Sequence, residues 1–293
     1  MTRSRFAPEF LRKLEQLDWI TLKLLAGHLR GDKLKTHLGR SQELFDYRAY
    51  QHGDDLRYVD WNIFSRLEQL FVKVFAAEED LSLHLLMDAS ASMAHGEPTK
   101  FDYIAHVGAA LAYIGLARFE RVSVSAFSNG TLQTLPGIRG RNSFNRVLDF
   151  MEQIQPSDGG SIDAAIARFS ATTRHPGVVF ILSDLLGDSL PVAGLRRLQA
   201  LRHEVGVLHV LCEEDIAPPL DGDFRLVDSE NAGTVRVRVD QVLRDSYQKH
   251  LLARLARLEQ DCARAGLGYV RTSTAIDFTD FILRYMREGS LLR

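Results

Sequence analysis

Three oxygen-bearing side chains stand at alternate positions where an apolar run stops: L-M-D-A-S-A-S-M, Leu86 to Met93, carries Asp88, Ser90 and Ser92. Alternate residues of an extended chain point the same way, so the three oxygens share one side while Ala89 and Ala91 leave room behind them. A small hard cation such as magnesium takes oxygen ligands from one or two carboxylates, hydroxyls and retained waters. Two further oxygen-bearing turns could complete such a set, G-G-S ending at Ser161 and L-S-D ending at Asp184. Each also has a plainer use. Short polar side chains at a strand-to-helix turn bond the local backbone. Ser161, between Gly-Gly and an apolar-periodic run, suits a helix N-cap, and Asp184 suits the start of the turn L-L-G-D-S.

Other chemistries fit less well. A-S-A-S-M is not a G-x-S-x-G elbow, and no histidine can be assigned as a base. An apolar strand ending in Asp also opens haloacid-dehalogenase-type phosphatases, but the second carboxylate expected two residues on is Ser90, which leaves the proton-transfer role vacant. Neither G-x-G-x-x-G nor G-x-x-x-x-G-K occurs, and the ten histidines include no H-E-x-x-H pair. A non-enzymatic role is expected; a magnesium-dependent hydrolase, or a structural subunit with a degenerate cation site, are the alternatives.

The elements that must position these residues begin near Asp80. Leu81 to Asp88 reads as a buried strand, and Ile104, Val107, Leu111 and Ile114 give the next segment helical spacing. Strands are predicted at 121–128, 131–135 before a Pro-Gly turn, 177–184 and 204–211, with helices at 143–154, at 161–174 and after Pro191. Short strands at 224–227 and 234–239, a long helix carrying Leu251, Leu255, Leu258 and Cys262, a segment at 268–272 and a helix from about Asp277 complete the pattern. Strand–helix alternation implies an α/β fold, a mostly parallel sheet with helices on both faces, over residues 81–293. Sites in such sheets collect beyond the carboxyl ends of the strands.

Residues 1–80 form a different N-terminal segment. Leu11, Leu14, Leu17, Ile20 and Leu24 mark an amphipathic helix interrupted near Asp18. From Gly39 to Asp80 charged and aromatic residues mix too irregularly for a clean helix or strand. Arg48, Arg57, Asp60, Trp61 and Arg66 read as a structural web of ion pairs and aromatic packing.

Composition narrows the partners. Lys plus Arg, 36, nearly balances Asp plus Glu, 38, so no broad basic field draws nucleic acid or an acidic membrane. Two distant cysteines, Cys212 and Cys262, offer neither a disulfide framework nor a zinc spacing, which suits a reducing cytoplasm. No signal peptide is visible, and the longest apolar stretch, Val107 to Ala117, falls short of the roughly 20 residues a membrane span needs; it reads as a core helix.

The D-A-S-A-S-M string resembles the D-x-S-x-S of von Willebrand factor A domains, whose metal-ion-dependent adhesion site adds a distant threonine and a distant aspartate. Here Ser161 stands in the threonine's place, one methyl group short, and Asp184 in that of the last acidic ligand. The resemblance implies a three-layer von Willebrand factor A-like fold. It further implies a Mg2+ or Mn2+ approached directly by Ser90, Ser92 and Ser161 and largely through water by Asp88 and Asp184, with one position open to a partner's carboxylate. A wider likeness, E-L-F-D-Y-R-A-Y-Q-H-G-D-D-L-R-Y-V-D-W-N followed by the D-A-S-A-S-M string, resembles the bacterial family called domain of unknown function 58. That resemblance implies partnership with a MoxR-type AAA+ ATPase.

Overall fold

The computed structural model describes residues 5–17, 44–52, 54–75, 82–117, 121–128, 130–157, 161–173, 175–186, 190–227 and 233–288. The chain divides into two compact units, one of Met1–Leu25 with Leu81–Arg293 and one of Ala26–Asp80. In chain order the elements run from helix α1 (8–17) through β1 (Leu44–Ala49), α2 (Trp61–Leu67) and β2 (Phe71–Phe75) to β3 (Ser82–Asp88), α3 (Lys100–Ala117), β4 (Arg121–Ser128) and β5 (Thr131–Ile138). There follow α4 (Phe144–Gln153), α5 (Ile162–Thr172), β6 (Gly177–Ser183), α6 (Val192–Ala200), β7 (Glu204–Leu211) and α7 (Glu213–Ile216). β8 (Gly222–Val227), β9 (Thr234–Val239), α8 (Gln241–Arg264), β10 (Gly268–Ser273) and α9 (Phe278–Glu288) close the series.

The larger unit is built on a six-stranded sheet in the order β10-β7-β6-β3-β4-β5. All neighbours pair in parallel except β5, which runs antiparallel along β4 at the edge. Counted within the sheet, the order is 3-2-1-4-5-6, the doubly wound arrangement, and with the antiparallel third strand it is the von Willebrand factor A-like topology that the resemblance implies. Strand order reverses between β3 and β6, which places the switch point where Asp88 and Asp184 emerge.

Period-two alternation sorts the strand side chains onto two faces. Leu83, Leu85 and Met87 of β3 join Val122, Val124, Phe180 and Leu182 in a core shared with α3, α4 and α9. Leu86, Phe127, Val179 and Ile181 join the opposite core with α5, α6 and α8. All seven residues of β3 are buried. Burial of each large aliphatic side chain contributes about 1.5–3 kcal/mol, so β3 is fixed in depth and carries Asp88 into the interior. At the other end of the same strand His84 is bonded to the Ser123 hydroxyl (2.7 Å) and the His175 carbonyl (3.1 Å). Burial pushes its imidazole down to about 4. Gly177 opens β6 because a Cβ there would collide with the Ser82 carbonyl.

Three features depart from the sequence pattern. Within residues 1–80, which the sequence groups together, α1 goes with the sheet: Phe6, Phe10, Leu14 and Leu17 are buried in the α3 core. Arg5 there pairs with Asp102 at 2.5 Å. β5 continues through Pro136-Gly137 to Ile138 rather than stopping at a turn. An edge strand tolerates a residue without an N–H, and the register shifts between Val122 and Val124 to accommodate it. Residues 44–49 and 71–75 form a two-stranded antiparallel sheet, β1–β2, where the local pattern shows no strand; pairing across the intervening α2 supplies what local alternation lacks. In this smaller unit the expected web is local. Arg48 pairs with Asp54 (2.9 Å), Arg57 with Asp55 (2.6 Å), and Asp60 caps α2 through the N–H groups of Asn62 and Ile63. Trp61 is largely exposed. The part of the predicted N-terminal helix beyond residue 17, with Ile20 and Leu24, lies outside the described residues, as does the Gly-Gly before Ser161.

Candidate cation site

Asp88 ends β3 and is 4% exposed. Its Oδ1 accepts the Ser90 N–H at 2.9 Å and its Oδ2 accepts the Ser183 hydroxyl at 2.6 Å. Burial, and then the negative charge of Asp184, push this carboxyl up to about 6, against the opposing effect of its hydrogen bonds. Among the described residues no cationic side chain forms an ion pair with it.

Ser90 is extended (φ −68°, ψ 164°) and leads into a 3-10 turn, Ala91–Ala94, anchored by Met93, which is wholly buried. The Ser90 and Ser92 hydroxyl oxygens lie 3.1 Å apart. Two backbone bonds hold the loop from either side, Ala89 N–H to the Phe127 carbonyl (2.9 Å) and Ser157 N–H to the Ala89 carbonyl (3.0 Å). Asp88, Ser90 and Ser92 thus form a fixed cluster of oxygens at the switch point.

Asp184 follows β6 and is 2% exposed. Its Oδ1 accepts the Leu186 N–H at 3.2 Å and its Oδ2 lies 2.8 Å from the Lys100 ammonium. The next residue, Leu185, has φ 49°, a left-handed conformation uncommon outside glycine. The Ser183 hydroxyl accepts its N–H at 3.0 Å, and Arg254 donates to its carbonyl.

Lys100 was not singled out by its sequence context. It opens α3, is 1% exposed, and bridges Asp184 (2.8 Å) and Asp215 of α7 (3.0 Å). Burial acts most strongly on its ammonium and would lower it, yet the two carboxylates together hold it above the usual lysine range. Asp215 is correspondingly held down: burial opposes this, and the Cys212 N–H and Lys100 outweigh burial. Lys100, Ser183 as a hydrogen-bond donor, and Asp215 are the functional residues that local reading missed. Their link is purely tertiary, although Ser183-Asp184 was already visible as a polar strand end.

Ser161 caps α5, its hydroxyl accepting the Ala164 N–H at 3.4 Å, and it is exposed. Among the described residues its hydroxyl bonds to that helix and not to Asp88, Ser90, Ser92 or Asp184. The structure brings Asp88, Ser90 and Ser92 together as one cluster at the switch point, places Asp184 beside it in an ion pair, and shows Ser161 as the α5 cap, lining a small cavity with Phe127 and Ser128 at the β4 tip. Among the described residues no three His, Cys, Asp or Glu side chains converge as a metal-binding group. A carboxylate with two hydroxyls, by contrast, fits a hard, oxygen-seeking cation. Cys212 and Cys262 are free and buried.

This geometry defines an α/β domain of von Willebrand factor A-like topology with an oxygen cluster at its switch point. The chain belongs to the family described as "Protein of unknown function DUF58", whose model matches residues 46–257. Relatives include "Uncharacterized protein Rv1480" of Mycobacterium tuberculosis (strain ATCC 25618 / H37Rv) and "Uncharacterized protein Mb1516" of Mycobacterium bovis. Each is 28% identical over 97% of this chain and 92% of its own. Similar solved structures include BatB from Bacteroides thetaiotaomicron (TM-score 0.45, 15% identity, 71% of this chain and 98% of that one). Another is proximal thread matrix protein 1 from the mussel byssus, described with a zinc-occupied MIDAS motif (TM-score 0.36, 14% identity, 45% and 38%). Among the described residues no helix is long and apolar enough to cross a membrane.

Proposed function

We propose that the protein is a non-enzymatic interaction module that holds Mg2+ or Mn2+ at the β3 tip and uses it to bind an acidic side chain of a protein partner. The observation that carries this reading is the cluster of the Asp88 carboxylate and the Ser90 and Ser92 hydroxyls, buried at the switch point with no ion-pairing side chain among the described residues. Asp88, Ser90 and Ser92 would hold the cation, and the cation would supply a positive charge able to accept a carboxylate from outside. Ser161 and Asp184 complete the set that the family resemblance implies, while the cap and the Lys100 pair give each a second duty. The hydroxyls of Ser90 and Ser92 are bonded to each other, and among the described residues neither is bonded to a histidine, which favours binding over nucleophilic catalysis.

The family resemblance makes a MoxR-type AAA+ ATPase the proposed partner and the cytoplasm the proposed setting, with assembly or remodelling of a complex as the task. Calorimetric titration of Mg2+ and of Mn2+ into wild type and Asp88→Ala tests the cation: saturable binding by wild type alone is expected, and equally weak binding by both removes the proposal. Capture of a MoxR-type ATPase by wild type, lost in Asp88→Ala and in chelator, is the expected partner result. Capture indifferent to both would instead favour a structural subunit.

A further inference from the structure

The β8–β9 hairpin stands as a two-stranded sheet of its own, and its two faces differ in chemistry. The register sets Phe224 opposite Val237 and Leu226 opposite Val235 on one face. Val239 at its base is buried, Phe224 and Val237 are half-buried, and Leu226 and Val235 emerge to 45% and 64% exposure. The other face sets Arg225 directly opposite Arg236 and Asp223 opposite Arg238, all four exposed. Like charges directly opposite on neighbouring strands oppose pairing, and a lone two-stranded hairpin is marginal in water. None of the three arginines has an ion-pair partner among the described residues. Folding alone therefore gives no reason for this arrangement, whereas an anionic ligand would relieve it.

The hairpin also leaves the sheet on the edge where the oxygen cluster sits. β7 ends at Leu211 beside the tip of β6, α7 follows with Asp215 on Lys100, and Gly222 then opens β8. α8 fixes this connection through Tyr247, whose hydroxyl donates to the Asp215 carbonyl (2.6 Å), and Arg244, which donates to the Leu220 carbonyl (3.1 Å).

We propose that the arginine face of β8–β9 docks an extended acidic segment of a protein partner. Arg236 and Arg238 stand two residues apart on one strand, about 6.8 Å along it, the spacing at which an adjoining extended peptide presents alternate carboxylates. The outer edges of both strands are free of a third strand in this sheet, so the backbone of such a segment can pair as well. Leu226 and Val235 offer apolar contact to its intervening residues. A nucleic acid fits less well, since the chain's net charge of −2 supplies no wider positive field. The surface does not depend on the cation reading, because none of its residues belongs to the oxygen cluster.

The test uses the full chain and a fluorescein-labelled peptide of alternating glutamate and valine, read by anisotropy at low and moderate salt. Wild type and Asp88→Ala are expected to bind it alike, with affinity falling as salt rises, and the same peptide with lysine for glutamate is expected not to bind. The double variant Arg225→Ala/Arg236→Ala is expected to lose at least tenfold in affinity. It removes a like-charge pair from an exposed surface, so circular dichroism and thermal unfolding should show it folded and no less stable. Absence of wild-type binding, equal binding by the double variant, or tighter binding of a DNA duplex of matched charge would each overturn the proposal. A loss in Asp88→Ala with chelator-sensitive wild-type binding would place the peptide at the cation instead.

Discussion

Two neighbouring strands of this sheet end in a buried aspartate, and the two carboxylates are treated in opposite ways. At the tip of β6, Asp184 has an internal counter-ion, Lys100, which is shared with Asp215. At the tip of β3, the donors to Asp88 among the described residues are neutral, the Ser183 hydroxyl and Ser90. The difference teaches what a site asks of its surroundings. A buried charge is stable when paired, and the β6 tip is paired within the chain; among the described residues the β3 tip is met by neutral dipoles instead, which is the basis of the proposal that a cation from solvent completes it. Lys100 also keeps the pair of tips from carrying two uncompensated charges at once.

Removing the lysine should give the largest effect, because it makes the β6 tip resemble the β3 tip. Lys100→Met retains the aliphatic bulk but leaves Asp184 and Asp215 without their cation, and loss of one partner of a buried pair costs about 3–5 kcal/mol. Urea unfolding of wild type and variant measures this. With Asp184 released, Mg2+ is expected to bind the variant more tightly than wild type; unchanged stability would show that the two tips are not held apart by Lys100.

Next in size is the pH response of Asp88, measured in chelator. An unfolded aspartate titrates near 3.8 and the folded Asp88 near 6, so between these values the folded state holds a proton that the unfolded state has released. Stability therefore falls as pH rises through this window: the penalty is absent below about pH 4 and fully present above about pH 6. A shift of about 2 units corresponds to about 3 kcal/mol. Compared with Asp88→Asn, which does not titrate, wild type should lose about that much between pH 4 and pH 7 in urea unfolding, and Mg2+ at pH 7 should restore it. His84, at the amino end of β3, acts in the opposite sense. Its folded value near 4 lies below the usual 6.5, so its contribution is lost as pH falls, and the comparison with Asp88→Asn cancels it.

Much of this was legible in the sequence, and the limits have physical reasons. β3, β4, β6 and β7 were readable because a strand buried on both faces is a continuous apolar run or a tight alternation, and Asp88 was conspicuous as the polar end of one. β1 and β2 were not readable, since their ladder comes from a partner strand more than twenty residues away and not from local alternation. Lys100 was hidden for a related reason. Nothing in G-E-P-T-K-F shows that this lysine lies inside, and its two partners stand 84 and 115 residues on (184 − 100 and 215 − 100). Ser161 was legible twice over, as ligand and as cap, and the fold shows the cap bond to the Ala164 N–H.

Two smaller substitutions sharpen the contrast. Ser183 serves both tips, donating to Asp88 and accepting the Leu185 N–H. Ser183→Ala leaves buried groups unsatisfied at each, a loss of about 1–3 kcal/mol, and pushes Asp88 further up. The midpoint of the pH-stability difference against a Ser183→Ala/Asp88→Asn double variant should therefore rise.

Ser161→Ala gives the smallest effect and the finest distinction. As an N-cap with a long 3.4 Å bond, Ser161 contributes at the low end of capping energies, about 0.5–1 kcal/mol. Its loss should appear in urea unfolding with or without Mg2+. Ser90→Ala removes a hydroxyl from the cluster itself, and should weaken Mg2+ binding in calorimetry while altering metal-free stability little. If Ser161→Ala instead weakens Mg2+ as much as Ser90→Ala does, the helix cap and the β3 tip are one site. If Ser161→Asn, which also caps well, restores stability without changing Mg2+ affinity, the hydroxyl belongs to α5 alone and the cation is held by Asp88, Ser90 and Ser92.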